Sequence, residues 1–425
     1  MIAWLLISFF VLLFLGVPIA MSLGLSAMGG ILFLGGGSTV TIAQRMFEGM
    51  NSFALLAIPL YTFAGFTMSK GGISKRLMDF CYSIVGHIYG GLAHVNVLSS
   101  LIFAGISGSA VADTAGVSGM FMPEMVRKGY SKNFTVAVTA ISSTIGIIIP
   151  PSIPMVVIAG ICGISTGKLF LGGIIPGVLC GLAQMIVSYF MAKKEGVPKE
   201  PGHFTIGPVL HGLWESWPAL LMPIIIVGTI TMGIVSPTEA GVIAVVYGLF
   251  AGGIIYRELK WEDIKFAFAE TVRTSGRIFI VIGAAKLYTV MLTTAGLDKW
   301  VAKTMLGFST NPTVILIVIL LIFFIVTMFM ESIATLTLFM PILYPIALGV
   351  GIDPIVLSVL ITVVIGVGLV TPPVGMCIYV ACDLMDVTVG EVFPTLVPFI
   401  AATFVCIALM VAFPQLILLP TYLMA

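Results

Sequence analysis

The chain has 425 residues, of which 59% are hydrophobic and only 9% charged, with a net charge of +1 and a mean hydropathy of +1.19. Soluble domains carry roughly a quarter charged residues, so a sizeable soluble domain is excluded, and the near-neutral charge gives no footprint for nucleic acid. The six cysteines lie in apolar segments without a CxxC pair and read as small buried hydrophobes rather than metal ligands.

In chain order, the first span is MIAWLLISFFVLLF, which lacks a basic n-region and reads as a retained helix rather than a signal peptide. Spans are predicted at about 2–16, 18–36, 52–69, 133–160 and 169–192, with an amphipathic connector at 38–50. The turn Gly16-Val17-Pro18 carries no charge, so 2–36 as one tilted helix is the alternative there. A polar stretch, KKEGVPKEPGHFTIGPVLHGLWESW, reads as a cytoplasmic linker with an interfacial helix over 193–217. Further spans are predicted at about 218–234, 236–256, 276–295, 354–380 and 391–420, with a second connector at 258–273. The segments 88–126 and 312–350 surround polar centres, and each reads as a re-entrant helical hairpin.

The chain repeats itself. SGSAVADTAGVSGMFMP (107–123) pairs with MESIATLTLFMP (330–341), the two Phe-Met-Pro ends being 218 residues apart. Pro150-Pro151 pairs with Pro372-Pro373 at an offset of 222, and Leu60-Tyr61-Thr62 with Leu287-Tyr288-Thr289 at 227. Two homologous halves follow, 1–192 and 218–425, each with a hairpin (88–126, 312–350) and a broken helix (133–160, 354–380). Five crossings plus one re-entrant hairpin make an odd number, so the halves are inverted. Lys and Arg agree. Lys70, Lys75, Arg76, Arg127, Lys128, Lys132, Lys193, Lys194, Lys199, Arg257, Lys260, Lys265, Arg273 and Arg277 fall on one side, the cytoplasm, with Arg45, Lys168, Lys299 and Lys303 as misfits. The expected fold is an all-α polytopic membrane protein of two inverted-topology repeats with two re-entrant hairpins and two broken helices.

Inverted repeats with broken helices mark secondary transporters, in which unwound carbonyls coordinate a hard cation and half-helix N-termini attract an anion. Ser107, Ser109 and Thr114 stand beside Asp113, and Ser332, Thr335 and Thr337 beside Glu331. Each tip should meet its break: Ser142, Ser143, Thr144 and Gly146 in the first half, Gly366, Gly368 and Thr371 in the second. Such oxygen-rich pockets suit Na⁺, with no transition metal and no cofactor beyond that coupling ion. Back-bonding of hydroxyls to their own helices is the plain alternative, and a helix cap is the plain alternative for Asp113. Glu331 is expected to work in transport, because no Lys or Arg occurs from residue 304 onward to pair with it. Lys286, mid-span, is expected to be buried and paired rather than to touch substrate.

The motifs GIVSPTEAGVIAVVYGLF (233–250), IIIPPSIPMVVIAGI (147–161), FAGISGSAVADTAG (103–116) and VTPPVGMCIYVA (370–381) run through the whole chain. Together they resemble the large membrane subunit, DctM type, of tripartite ATP-independent periplasmic (TRAP) transporters. The resemblance implies a non-enzymatic, sodium-driven elevator of the ion transporter superfamily kind in the bacterial inner membrane. It implies a transport domain of hairpins and broken helices moving against a scaffold of the remaining spans. It implies two partners, a small four-helix membrane subunit and a periplasmic substrate-binding protein, and small organic acids such as C4-dicarboxylates or sialic acid as substrates. Carried onto this sequence it implies sodium sites at Ser107, Ser109, Ser143 and Gly146, and at Ser332, Thr335, Gly366, Gly368 and Thr371. Ser109, Ser152 and Glu331 would face the substrate. A stand-alone sodium/carboxylate symporter is the nearer alternative. An intramembrane serine protease, from Gly105-Ile106-Ser107-Gly108, is the remote one.

Overall fold

The computed structural model describes residues 1–34, 38–197 and 205–423, and every regular element among them is helical. Backbone polar groups in a bilayer must be satisfied within the segment, which an apolar helix does and an open strand does not. Among the described residues, seven helices are long and apolar enough to cross a membrane.

The first is preceded by a tight pair, α1 (Ile2–Phe14) and α2 (Ile19–Leu34). Gly16 at φ +81° and the following Pro18 end α1, so 2–34 is two helices packed on each other, not one. The polar α3 (Thr39–Met50) leads to α4 (Ala57–Lys70), and α5 (Ile73–Val85) connects α4 to the first hairpin. That hairpin is α6 (Gly91–Ser107) and α7 (Ala110–Arg127). The first broken span is α8 (Lys132–Ser143) and α9 (Ile153–Cys162). At 12 and 10 residues these reach about 18 Å and 15 Å, too short to cross a core of about 30 Å singly but sufficient together. Between them, a 3₁₀ turn (Thr144–Ile147) leads into the cis Pro150-Pro151 bond.

After the first broken span come α10 (Thr166–Lys194), α11 (Ile206–Thr231), α12 (Pro237–Phe250) with a π turn to Ile255, and α13 (Trp261–Thr294). Two expected boundaries are absent. The interfacial part of the linker and the span from 218 are one helix through Pro218 and Pro223. The second connector and the span after it are the single 34-residue α13. Polarity changes along both segments, but between 261 and 294 there is no Pro, and the only glycines are Gly276 and Gly283, so the helix runs on. Part of the linker, 198–204 with Lys199, lies outside the described residues.

The short α14 (Leu297–Phe308) introduces the second hairpin, α15 (Pro312–Thr327) and α16 (Ser332–Gly349). The second broken span is α17 (Pro354–Gly368) and α18 (Met376–Met385), split by the cis Pro372-Pro373 bond, and α19 (Val389–Ala412) follows. The linking helices α5 and α14, each placed just before a hairpin, were not expected.

The packing forms two groups. α9 lies on α16 of the opposite hairpin, and α18 lies on α7 and α8. α1 to α4 and α11 to α13 form the other group, with α13 packed on α2, α3 and α4. α10 and α19, expected with the scaffold, pack on each other, on α8 and on α17, and so side with the hairpins. The Leu-Tyr-Thr twins tie the halves crosswise: Tyr61 O–H donates to the Pro237 carbonyl (2.7 Å) and Tyr288 O–H to the Leu5 carbonyl (2.9 Å). A small core of Leu5, Phe9, Leu23 and Tyr288 meets Met330 at the second tip and a stripe on α16, Ala334, Leu338 and Ile342, where the groups touch.

Candidate functional site

Each hairpin tip is fastened to the break that follows it by one backbone hydrogen bond. The N–H of Ile153, just beyond Pro150-Pro151, donates to the Gly108 carbonyl (3.1 Å). The N–H of Val374, just beyond Pro372-Pro373, donates to the Met328 carbonyl (2.9 Å). The breaks themselves cross. A Cβ on Gly366 would lie 3.2 Å from Thr144 Cβ, a contact tight enough to make glycine the fitting residue. Gly366 therefore faces the first break rather than the second tip, while Gly368 packs against the Thr327 side chain at the end of α15.

At the first tip the oxygens converge on Asp113, which is fully buried. Ser107 O–H donates to Asp113 Oδ1. Asp113 Oδ2 is buried without a hydrogen-bond partner. It points at the Cα of Gly146, where a Cβ would collide with it and would come within 3.4 Å of the Ser109 carbonyl oxygen. Ser143 Oγ donates to Thr139 O (2.7 Å), leaving its lone pairs free to ligate. Ser107, Ser109 and Gly146 are thus brought together around Asp113, which the sequence placed beside these hydroxyls but not among the sodium ligands. It is not the cap of α7; Ser109 is, accepting from the Ala112 N–H (3.4 Å). The signal was the six-residue step from Ser107 to Asp113 across a glycine turn, which brings the two side chains into contact. An ionised buried carboxylate with one oxygen unmet costs more than the 1–3 kcal/mol of a neutral orphan and calls for a cation or a proton. The hard oxygen donors around it fit Na⁺.

The second tip is chemically different. Glu331 is the N-cap of α16. Its Oε2 accepts from the N–H groups of Ile333 (3.0 Å) and Ala334 (3.3 Å), and its Oε1 from Ser332 O–H (2.9 Å). The carboxylate that lacked a cation in the sequence is met by helix N–H dipoles instead. Thr335 donates to Glu331 O (3.1 Å) and Thr371 to Val367 O (2.7 Å). Ser332, Thr335 and Thr371 offer hydroxyl lone pairs but no bare carboxylate oxygen.

The three residues expected to face substrate, Ser109, Ser152 and Glu331, are the N-caps of the half-helices α7, α9 and α16. Ser152 accepts from the Met155 N–H (3.3 Å) and donates to Ile147 O. Ser109 and Ser152 lie together, since Gly108 abuts Pro151 and Ile153. Lys286 departs from expectation: it is exposed, and among the described residues no hydrogen bond or ion pair engages it. The contacts do not build a serine–histidine pair at Ser107: its O–H donates a hydrogen bond to Asp113, and His94 Nε2 meets the Tyr89 carbonyl (3.1 Å) instead.

With this geometry in place, the model of the DctM component of the tripartite ATP-independent periplasmic transporters matches residues 6–416. This chain belongs to the DctM family. It is 36% identical over 408 residues to the sialic acid TRAP transporter large permease of Vibrio cholerae, covering 96% of this chain and 95% of that one. It is 35% identical over 403 residues to the C4-dicarboxylate TRAP large permease of Pseudomonas aeruginosa, covering 95% and 94%. It is 37% identical to the isethionate TRAP permease of Oleidesulfovibrio alaskensis over 92% of this chain, but spans only 62% of that longer protein. Among solved structures, the YdaH transporter of Alcanivorax borkumensis has the same fold at a TM-score of 0.59 and 13% identity, covering 89% of this chain and 88% of that one. MtrF of Neisseria gonorrhoeae matches at 0.59 and 14%, covering 88% and 84%. The chain is a large permease subunit of the inner membrane, a transporter and not an enzyme.

Proposed function

We propose that this DctM permease takes up a small organic acid in symport with Na⁺, the acid being delivered by a periplasmic binding protein. The observation that carries the reading is Asp113, whose buried Oδ2 has no protein partner and is held over Gly146 at the first break. Na⁺ there completes the carboxylate's coordination, with Ser107, Ser109, Ser143 and the Gly146 backbone around it. The second ion is assigned to Ser332, Thr335 and Thr371 with the Gly366–Gly368 backbone. The acid's charge is assigned to the N-termini of α7 and α9 at Ser109 and Ser152, where the positive ends of the helix dipoles favour an anion. Glu331, holding its tip in shape, approaches the substrate's hydroxyl groups. The named substrates of the relatives, sialic acid, C4-dicarboxylates and isethionate, are all small organic anions.

The halves are read as inverted repeats, 1–192 and 218–425, around the 193–217 linker. The contacts that gather the cationic loops support this: Arg76 pairs with Glu258 (2.6 Å), Ser131 O–H donates to Glu195 (2.9 Å), and Lys132 to the Met385 carbonyl (3.1 Å). These loops are assigned to the cytoplasm. In an elevator cycle the hairpins and broken helices, with α10 and α19, move against α1–α4 and α11–α13. A small four-helix subunit is assigned to the scaffold's apolar outer face. Uptake of radiolabelled sialic acid, succinate and isethionate into proteoliposomes, with and without an inward Na⁺ gradient, tests the reading. Uptake of one of them that needs Na⁺ and a binding protein supports it, and robust uptake by the chain alone points to a stand-alone symporter.

A further inference from the structure

Between the two helix groups lies a gap of about 460 Å³, within the range of small-molecule sites. One wall is α13, which presents Lys286, Thr289 and Thr293 at helical spacing. The end of α3 adds Glu48, and the segment after it adds Ser52. The facing wall belongs to the hairpin group, Gly160 of α9 and Thr337 of α16. Lys286 and Glu48 are the charged residues lining the gap, and they are not equivalent. Glu48 already pairs with Arg45 (2.7 Å), whereas among the described residues Lys286 has no ion-pair or hydrogen-bond partner. The Thr289 hydroxyl, buried beside it, also has none. The two charges lining this hydroxyl-rich gap sum to zero, but Glu48 is engaged by Arg45 and, among the described residues, no direct partner holds Lys286.

We propose that this gap is a reception site for a small hydroxylated organic anion, with Lys286 Nζ as its charge anchor and Thr289 as a hydroxyl partner. The inference rests on the reading of the chain as an organic-anion carrier and adds where that anion is first held. Its walls come from different groups, so Lys286 and Thr337 bind together only in the arrangement seen here. Displacement of α9 and α16 past α13 takes the ligand away from Lys286. Lys286 therefore selects for negative charge on entry and does not travel with the substrate. Gly49 lets α3 approach the Lys286 stem: a Cβ there would lie 2.6 Å from Lys286 Cβ.

The test uses two methanethiosulfonate reagents of similar size, one carrying a sulfonate and the other a trimethylammonium group. Thr293→Cys, about 10 Å along α13 from Lys286, serves as reporter, and peptide mass spectrometry reads modification at residue 293 alone, so the native cysteines stay in place. The ratio of anionic to cationic labelling rates should fall roughly threefold to tenfold in the Lys286→Gln background, the scale of one partly screened charge at that distance. Lys286→Arg should keep the ratio, and Glu48→Gln should raise it. In uptake, Lys286→Gln should raise KM for the anion far more than it lowers kcat. An unchanged ratio in Lys286→Gln, or a reporter thiol at position 293 that neither reagent reaches, overturns the proposal even if Na⁺-driven uptake persists. A shifted ratio in a chain that shows no Na⁺-driven uptake would keep the reception site and remove the transport reading beneath it.

Discussion

At the scale of single residues, the two acidic residues of the hairpin tips are met by the fold in different ways. Glu331 stands out in sequence because it lacks a cation, yet its three acceptor contacts make it a helix cap. Asp113 looks like a cap and is the carboxylate with an oxygen to spare. Local sequence shows a carboxylate's neighbours in the chain but not which N–H groups the fold turns toward it. The consequences differ sharply. Asp113→Asn and Ser107→Ala should each weaken apparent Na⁺ affinity in uptake by about tenfold to a hundredfold, the 1–3 kcal/mol scale of a lost partner at a buried polar group. Unchanged Na⁺ dependence in both would remove the ion site. Glu331→Ala should cost about 0.5–2 kcal/mol of stability, read as a lower thermal midpoint, and Glu331→Asp should recover most of it because Asp caps well. If Glu331→Asp instead restores stability but not uptake, its carboxylate reach matters to substrate as well.

At the scale of elements, the hairpins and breaks were legible because their signals recur about 220 residues apart: paired prolines, break glycines such as Gly146 and Gly366, and tip hydroxyls. The long helices were less legible. Charged residues from Glu262 to Arg277 suggested a separate surface helix, but the chain continues as helix through Gly276. The open space around that glycine makes a clean test. Gly276→Ala should raise the thermal midpoint, by the 0.5–1 kcal/mol that Gly costs within a helix, whereas a joint at that position would make it destabilising. Gly105→Ala should go the other way, because its Cβ would lie 2.5 Å from Pro223 where α6 crosses α11. The helices α5 and α14 escaped notice for a simpler reason. Each is only three to four turns long and carries charges, so neither crossed the hydropathy threshold of a span.

At the scale of the whole molecule, the account requires opposite orientation of the two hairpins. Single cysteines at 129–131 should react with impermeant reagents only from the cytoplasm, and those at 350–352 only from the periplasm; same-side labelling would remove the inverted repeat. The apolar outer surface, with Phe14, Leu15 and Trp214 among its exposed residues, should keep a small membrane subunit bound through purification in mild detergent. The central claim is Na⁺-driven, binding-protein-dependent uptake through the Asp113 site. The most direct measurement is the initial rate of uptake against external Na⁺ concentration, in proteoliposomes holding this chain with its small subunit and a loaded binding protein. The account predicts a rate that vanishes without Na⁺, rises with it, and shifts to higher Na⁺ in Asp113→Asn. A rate indifferent to Na⁺, or a Na⁺ response identical in Asp113→Asn, would contradict it.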